Sequence, residues 1–340
     1  MTSVKQHLIS LSIEQPVIQQ YPEQSVAAYR RHLSSSEQLV TPYEKVRAGF
    51  VALALERNRR ATPFVDQARV LKASASKVSR PTQLLNLPDI RTALLAAAGI
   101  SDKAAGHMKE QDKTEAIQVL IGEFLEPAGA DFVEELVYRF LLTRGDTLGG
   151  SMRNVGGGLA ARKFTRALLA ILTLAGIPYH WFHNSAKTWI PMTENDAGIE
   201  LNLRGLSWSS RGQDRTLFYN MNVPLFKKNV DVCLLNCSNR EFSSITKNPP
   251  SYIALGELKG GIDPAGADEH WKTANSALGR IRTAFSAQGL SPHTFFLGVA
   301  IAKNMADEIW SQLEDGTLTN AANATNEVQT DSLCQWLCNL

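Results

Sequence analysis

The sequence predicts an α/β (α+β) protein in which a mainly helical half precedes a core built on a mixed central sheet. From Tyr43 to about Gly176, apolar residues recur at helical spacing almost without interruption. After Pro178 the spacing changes to that of short strands separated by polar, glycine-containing turns. We therefore divide the 340 residues into an N-terminal arm (1–40), a mainly helical region (41–176) and an α/β core with C-terminal helices (177–340).

The helical half is expected to begin at Thr41, as an N-cap, with Pro42 at the first helical position. This first helix closes on Arg57, Arg59 and Arg60, and basic residues suit the negative end of a helix dipole. The three arginines are either a solvated helix end or a contact to phosphate. Further helices are expected over 66–77, 91–98, 114–124, 132–140 and 159–176.

The core is expected to follow the order strand, strand, helix, strand, helix, which describes an α/β unit. Its three stronger strands are Asn229–Asn236, Tyr252–Lys259 and Thr294–Ala302. Its two helices run from about Asp268 to Ser286 and from Met305 to Leu313. Weaker strands are expected over 179–182, 199–206 and 216–223.

Composition is that of an ordinary globular protein, with 44% hydrophobic and 20% charged residues. The formal net charge is only +2, so any cationic binding surface has to be local. No secretory signal and no membrane span is apparent, and we expect a cytoplasmic protein. The four cysteines form two equally spaced pairs that we expect to be reduced thiols; a zinc site is the less favoured alternative: Cys233, Cys237, Cys334 and Cys338.

Asp231, Glu257 and Lys259 are the residues that we expect to carry chemistry. Asp231 lies inside an otherwise apolar strand, where a carboxylate must be paired, bound to a metal or at an open edge. Glu257 and Lys259 are two residues apart on the next strand, so both side chains point to one face, with the Leu258 carbonyl between them. Two carboxylates and a carbonyl suit Mg²⁺, and the lysine can stabilise charge on a phosphate and help deprotonate water. Glu-x-Lys also occurs by chance, as an exposed ion pair of little energetic value.

The run after Lys259 joins this strand to a helix that carries His270. Gly260 and Gly261 let the backbone approach a ligand closely. Asp263 and the proline after it form a rigid turn, and we expect Asp268 or a neighbour to cap the helix. His270 then lies in the first helical turn, where it either packs beside the following tryptophan or positions or deprotonates the attacking water.

The sequence Gly-Glu-Leu-Lys-Gly-Gly-Ile-Asp-Pro-Ala-Gly-Ala-Asp-Glu-His-Trp-Lys-Thr-Ala, from Gly256 to Ala274, resembles type II restriction endonucleases, most closely the AvaI/BsoBI family. The resemblance extends over about 41–302 and leaves the N-terminal forty residues and the tail after Leu313 without a counterpart. It implies a restriction-endonuclease-like core, Mg²⁺, and a homodimer that encircles double-stranded DNA. It also implies cleavage at C-Y-C-G-R-G, a site that a cognate DNA methyltransferase of the same restriction–modification system would protect.

The same resemblance implies roles for individual residues. Asp231, Glu257 and Lys259 match the family's catalytic positions, and His270 matches its active-site histidine. Asp263 matches a residue that reads a base edge, and Lys103 is a weaker match to a DNA contact.

A second run, from Arg144 to Asn154, also belongs to the resemblance and places donors in a predicted glycine-rich loop between two helices. Arg144, Ser151, Arg153 and Asn154 are expected to contact DNA. Backbone amides at Gly149, Gly150 and Gly156–Gly158 are expected to help by cradling a phosphate. The alternative is an interhelical turn in which glycine is needed only for its geometry.

Three other functions remain possible from the residues alone. A repair or junction-resolving nuclease would use the same core but recognise DNA structure. A non-cleaving DNA-binding module would keep Glu257 and Lys259 as a structural ion pair. A helical interaction protein would have no affinity for DNA.

Overall fold

Eight strands form one sheet and ten α-helices accompany it within residues 27–152 and 155–340, the part of the chain that this computed structural model describes. The helices are α1 (Tyr43–Ala75), α2 (Arg91–Ala97), α3 (Asp102–Ala105), α4 (Glu110–Leu120), α5 (Phe132–Met152), α6 (Val155–Leu174), α7 (Phe242–Ile245), α8 (Pro264–Ser286), α9 (Lys303–Glu314) and α10 (Glu327–Asn339). The strands are β1 (Tyr179–His183), β2 (Thr188–Pro191), β3 (Leu203–Ser210), β4 (Gln213–Val223), β5 (Lys228–Leu235), β6 (Tyr252–Lys259), β7 (His293–Gly298) and β8 (Asn320–Asn323).

The sheet is mixed, as predicted, with the order β2-β1-β3-β4-β5-β6-β7-β8. Neighbouring strands from β2 to β6 are antiparallel, whereas β6, β7 and β8 are parallel. Parallel neighbours need crossover connections, which α8 and α9 provide. The fold is therefore the α/β core with a helical half that the sequence predicted.

Strands β5 to β7 are buried on both faces because helices cover the sheet from both sides. On one face, Cys233 and Phe296 pack with Trp271 of α8 and Ile309 of α9. On the other face, alternate residues of the same strands pack against α6 and α10: Leu234, Ala254 and Phe295 with Phe164, Leu168, Leu333 and Leu337. The alternation follows the two-residue period of a strand and explains why these segments read as continuous apolar runs.

Helix α1 is longer than predicted. It continues through Pro63 to Ala75, whereas the sequence predicts one helix that ends at Arg60 and another that begins at Asp66. Arg59 and Arg60 therefore lie inside the helix and not at its end. Both form ion pairs with Glu56, one turn back on the same helix. A proline removes one hydrogen bond and usually bends a helix, but this one remains continuous.

Contrary to the prediction, Thr41 is not the N-cap of α1, but forms hydrogen bonds that connect the start of the helical half to the core. Pro42 occupies the N-cap position. The Thr41 hydroxyl donates to the Val299 carbonyl at 2.8 Å and accepts from the Ile301 amide at 2.9 Å. The chain thus enters α1 from a point next to the end of β7.

Helix α5 overturns the prediction of a glycine-rich loop over Arg144–Asn154. The helix runs to Met152, and a stripe of buried residues at a spacing of four continues along it: Phe132, Leu136, Phe140, Arg144, Leu148 and Met152. The predicted face of the first three residues is confirmed. Gly149 and Gly150 lie inside α5, where an amide donates to the carbonyl four residues earlier, so their amides do not form a phosphate cradle.

Several boundaries differ from the predictions. Strand β7 ends at Gly298, four residues before the expected end, and α8 begins at Pro264 because the Asp263 side chain accepts from the Ala265 amide at its N-cap. The segment 199–206 begins with a short 3₁₀ turn before β3. Strands β2 and β8 and helix α10 were not predicted.

The N-terminal arm is packed against the core where the structure describes it, from residue 27 onward. Tyr29, Leu33 and Leu39 are buried in the core cluster that contains α8 and α9. The His32 ring lies 2.9 Å from the Ser332 hydroxyl and 2.8 Å from the Ala321 carbonyl oxygen. Among the described residues, no helix combines the length and the apolar character needed to cross a membrane.

Candidate active site

Asp231, Glu257 and Lys259 meet where β5 and β6 separate. The ladder between these strands pairs Val232 with Gly256, so the next position along it places Asp231 opposite Glu257. The Lys259 ammonium donates to Asp231 Oδ2 at 2.9 Å and to Glu257 Oε2 at 2.6 Å. The predicted grouping of the three side chains is thus present, as a partly buried cluster.

The backbone of Leu258 belongs to the same cluster. Its amide donates to Asp231 Oδ2 at 3.0 Å. Because the N–H and C=O of one strand residue point to the same edge, the Leu258 carbonyl also faces β5. The Lys259 carbonyl points the other way and accepts from the Val299 amide at 2.9 Å. The Leu258 carbonyl is thus directed to the side of β6 on which Asp231 lies.

The single positive charge of Lys259 does not fully offset the effect of burial and of Asp231 on the Glu257 carboxyl. Burial, followed by the charge of Asp231, raises the pKa of the Glu257 carboxyl to about 7, although Lys259 opposes the shift. Burial lowers the pKa of Lys259, but Glu257 and Asp231 outweigh it and the pKa is raised. Lys259 is therefore an ammonium at neutral pH, a form suited to stabilising negative charge on a phosphate.

An oxygen-only donor set of this kind fits a hard divalent cation. Within residues 27–152 and 155–340, no group of three or more His, Cys, Asp and Glu side chains is placed to hold a metal. Two carboxylates, one carbonyl, water and substrate oxygens are the ligands that remain, and Mg²⁺ binds through such sets. The four cysteines are buried free thiols, in line with the reduced state expected from sequence.

His270 is placed against the loop that follows Lys259. It lies in the second turn of α8, not the first, because the helix begins four residues earlier than predicted. Its side chain is aimed back at Gly261, where an added Cβ would stand 2.7 Å from His270 Nε2. Glycine at 261 thus leaves room for the imidazole. Asp263 is exposed at the N-cap of α8, on the same loop.

Glycine contacts join this loop to the helical half. A Cβ on Gly156 would lie 2.5 Å from the Gly260 carbonyl oxygen, and a Cβ on Gly49 would lie 2.2 Å from Ile262 Cγ1. Real Cβ atoms are essentially never found within 3.0 Å of such atoms, so both positions require glycine unless the neighbour shifts. The start of α6 and the second turn of α1 therefore fix the position of the residues that directly follow Lys259.

The predicted DNA contacts of the helical half are placed differently. Arg144 is 8% exposed and its guanidinium donates to Asp102 Oδ2 at 2.8 Å. The guanidinium also lies 5.8 Å from the ring centre of Phe64 and 5.4 Å from that of Phe140. Arg144 therefore packs inside the helical half, and its predicted role in DNA binding would require the pair with Asp102 to open.

The remaining predicted contacts are more accessible or lie outside the described residues. Lys103 is exposed on α3, beside Asp102. The Ser151 hydroxyl donates to the Leu148 carbonyl at 2.8 Å. Arg153 and Asn154 lie outside the described residues.

A pocket that was not predicted from the sequence adjoins Asp231. Its volume is about 390 Å³, and Gly157, Gly158, Ala161, Tyr219, Asn220, Asp231 and Leu258 line it. Asn220 has a φ of 50°, in the left-handed region. The sequence carries no signal for this bend, because Asn220 lies within an otherwise regular strand pattern.

A mixed sheet with two carboxylates and a lysine at the ends of adjacent central strands matches the D…E-x-K class of phosphodiester-cleaving enzymes. A family model described as restriction endonuclease BsobI matches residues 29–340. Over 313 residues the chain is 63% identical to type II restriction enzyme AvaI of a Nostoc species, covering 92% of this chain and 99% of that protein. AvaI of Anabaena variabilis gives the same values. Type II restriction enzyme BsoBI of Geobacillus stearothermophilus is 52% identical over 317 residues, 92% of this chain and 98% of that protein.

The chain therefore belongs to the restriction endonuclease BsobI family. It is a type II restriction enzyme, a site-specific deoxyribonuclease, and the resemblance inferred from the Gly256–Ala274 run is confirmed. The family match also corrects the expected extent of that resemblance, since it begins at residue 29 and includes the tail after Leu313. The rival interpretations as a junction nuclease, a non-cleaving module or a helical interaction protein are accordingly set aside.

Proposed function

We propose that the chain hydrolyses one phosphodiester bond in each strand of double-stranded DNA, with Asp231, Glu257 and the Leu258 carbonyl holding Mg²⁺. The observation that carries this proposal is the Lys259 ammonium bridging Asp231 at 2.9 Å and Glu257 at 2.6 Å where two strands separate. When bound, Mg²⁺ would supply a Lewis acid at the phosphate and make water more acidic.

The protein's own residues supply position and charge. Lys259, kept protonated by its two carboxylate neighbours, stabilises the negative charge that develops on the phosphate. His270, held over Gly261, orients the attacking water or takes a proton from it. The close contact between Gly156 and Gly260 fixes the position of Lys259 and His270 relative to the helical half.

Recognition is proposed to involve both parts of the chain. Asp263, exposed at the start of α8, accepts from a base edge in the major groove, as a carboxylate does from a cytosine amine. Lys103, Ser151, Arg153 and Asn154 remain proposed contacts to the DNA backbone. We propose C-Y-C-G-R-G as the recognition site, on the resemblance to the family alone.

Two further features follow from cutting a palindrome. A two-fold symmetric site calls for a C₂ homodimer, because one subunit supplies one active site. A host that carries this enzyme needs a cognate DNA methyltransferase, and we propose that both act in the cytoplasm.

Digestion of a fully sequenced phage DNA with excess Mg²⁺ tests the proposal. Wild-type protein is expected to give discrete fragments whose mapped ends share one palindrome, whereas Lys259→Ala gives none. Lys272→Ala is a matched control, because Lys272 also bridges two carboxylates, Asp268 and Glu269, but is exposed on α8. Absence of cleavage by the wild type, with duplex binding unaffected by Mg²⁺, would contradict the catalytic assignment.

A further inference from the structure

Asn220 adopts a costly backbone conformation directly opposite Asp231. The ladder between β4 and β5 pairs Tyr219 with Val232 and Met221 with Val230, so Asn220 and Asp231 face each other between these pairs. A non-glycine residue at a φ of 50° inside a strand is strained, and such strain persists only where the surroundings enforce it. Here the Arg204 guanidinium donates to the Asn220 carbonyl at 3.1 Å and holds the bend.

Two helical glycines, Gly157 and Gly158, line the adjoining pocket, and packing among the described residues does not require glycine at either position. Among the atoms of residues 27–152 and 155–340, a Cβ on Gly157 or Gly158 would meet none within 4 Å, unlike a Cβ on Gly156. Glycine inside a helix destabilises it relative to alanine. Both residues line the pocket with Asn220, Asp231 and Leu258, so the bare backbone faces the open space.

The floor of the pocket is fixed. Tyr219, next to Asn220, accepts at its hydroxyl a hydrogen bond of 2.7 Å from Thr165 of α6. This bond joins β4 to α6 at a residue that lines the pocket. The width of the pocket between Asn220 and Gly157–Gly158 is therefore set by packed elements.

We propose that this pocket holds a phosphate of the DNA strand being cut, and that Asn220 is a catalytic residue whose carboxamide donates to a phosphate oxygen. Gly157 and Gly158 let the sugar–phosphate chain approach α6 more closely than any side chain would allow. The inference rests on the proposed cleavage of DNA and adds to it a residue that contacts the substrate on the side opposite Lys259.

The test uses two substitutions that should stabilise the fold and impair cleavage. Asn220→Gly removes the strain at a positive φ, and Gly157→Ala restores helix propensity where a methyl group has room. We expect both variants to melt at or above the wild-type temperature. Loss of a hydrogen bond to a charged oxygen lowers the single-turnover cleavage rate of Asn220→Gly by roughly 10- to 100-fold. Gly157→Ala is expected to cut at least about tenfold more slowly, because its methyl group occupies the space of the phosphate chain.

Matched controls come from the same chain. Lys187→Gly changes a residue with a φ of 53° in the β1–β2 turn, and Gly279→Ala changes an interior glycine of α8 with room for a methyl group. Both should preserve the cleavage rate. Asn220→Asp should cut more slowly than Asn220→Ala, because a second carboxylate repels both phosphate and Asp231.

Cleavage by the wild type distinguishes failure of the inference about Asn220 from failure of the proposed function. If the wild type cuts and Asn220→Gly cuts at the same rate, Asn220 does not contact the substrate and the inference is overturned. A lower melting temperature for Asn220→Gly would equally overturn it, by showing that the side chain supports the fold. If the wild type itself does not cut DNA, the proposed function fails first.

Discussion

Replacing Lys259 with methionine should destabilise the metal-free protein and leave the metal-bound protein less affected. Lys259 is the one cation within 3 Å of both carboxylates in the described cluster, and its side chain is only 19% exposed. Its removal leaves two like charges partly buried together. Breaking one partner out of a buried ionic cluster costs about 3 kcal/mol.

Two features limit the size of this effect. Glu257 already has a raised pKa, because of burial and the charge of Asp231, so it can take up a proton when Lys259 is lost. For a chain of this length, an unfolding entropy of about 0.7 kcal/mol/K converts 3 kcal/mol into about 4 °C of melting temperature. We therefore expect Lys259→Met to melt about 4 °C below the wild type in chelator at pH 8.

Mg²⁺ should then narrow the gap, because it neutralises the carboxylates that the methionine leaves unpaired. Without the competing ammonium, Lys259→Met should bind Mg²⁺ more tightly than the wild type does, and a hundredfold tighter dissociation constant restores about 2.7 kcal/mol at saturating Mg²⁺, most of the expected loss. Thermal unfolding of wild type, Lys259→Met and Lys272→Met, with chelator and with excess Mg²⁺, measures this. A gap that Mg²⁺ does not change would refute the placement of the ion at Asp231 and Glu257, and Lys272→Met should show no measurable shift.

Three further results are expected. The raised pKa of Glu257 means that its contribution to stability is present below about pH 4.5 and is lost as pH rises through about 7, so metal-free wild type should lose stability across that window. Glu257→Gln should flatten this dependence in a pH series of denaturant midpoints. Gly261→Ala should displace His270 and slow cleavage by roughly 10- to 100-fold with little change in duplex affinity, as gel-shift titration without metal would show. Arg144→Ala should destabilise the protein by about 2 kcal/mol because the guanidinium is buried against Asp102; unchanged stability with weaker DNA binding would restore the role expected from sequence.

The sequence was sufficient to predict the grouping of the proposed catalytic residues because their pattern is local. Glu257 and Lys259 share a strand face through the two-residue period, and a lone carboxylate such as Asp231 in an apolar strand needs a partner. The three residues are brought together by one strand pairing between neighbours in the chain. Short-range patterns therefore determined both the core strands and the principal residues of the site.

The features that the sequence did not reveal depend on contacts between distant segments. Arg144 was expected at a DNA surface, because a buried arginine and an exposed one look alike until Asp102 and Phe140 are placed around it. The glycines near 150 indicated a loop, but tertiary packing along α5 outweighed their low helix propensity. Asn220 gave no signal because the strain that defines it comes from its strand neighbours.

Several features that lower the stability of the protein lie close together in the structure. Glu257 is a buried carboxyl with a raised pKa, Asn220 is strained, and Gly157 and Gly158 weaken a helix where alanine would fit. Each lowers the stability of the protein alone. Asn220, Gly157 and Gly158 line the pocket beside Asp231, and Glu257 contacts Lys259, which also contacts Asp231. A cation and a phosphate placed there would relieve the charge and fill the space, so stability that is absent from the free protein would appear on binding. Under the proposed function, the same residues that are unfavourable in the free protein would favour binding of a metal and a nucleic-acid backbone together.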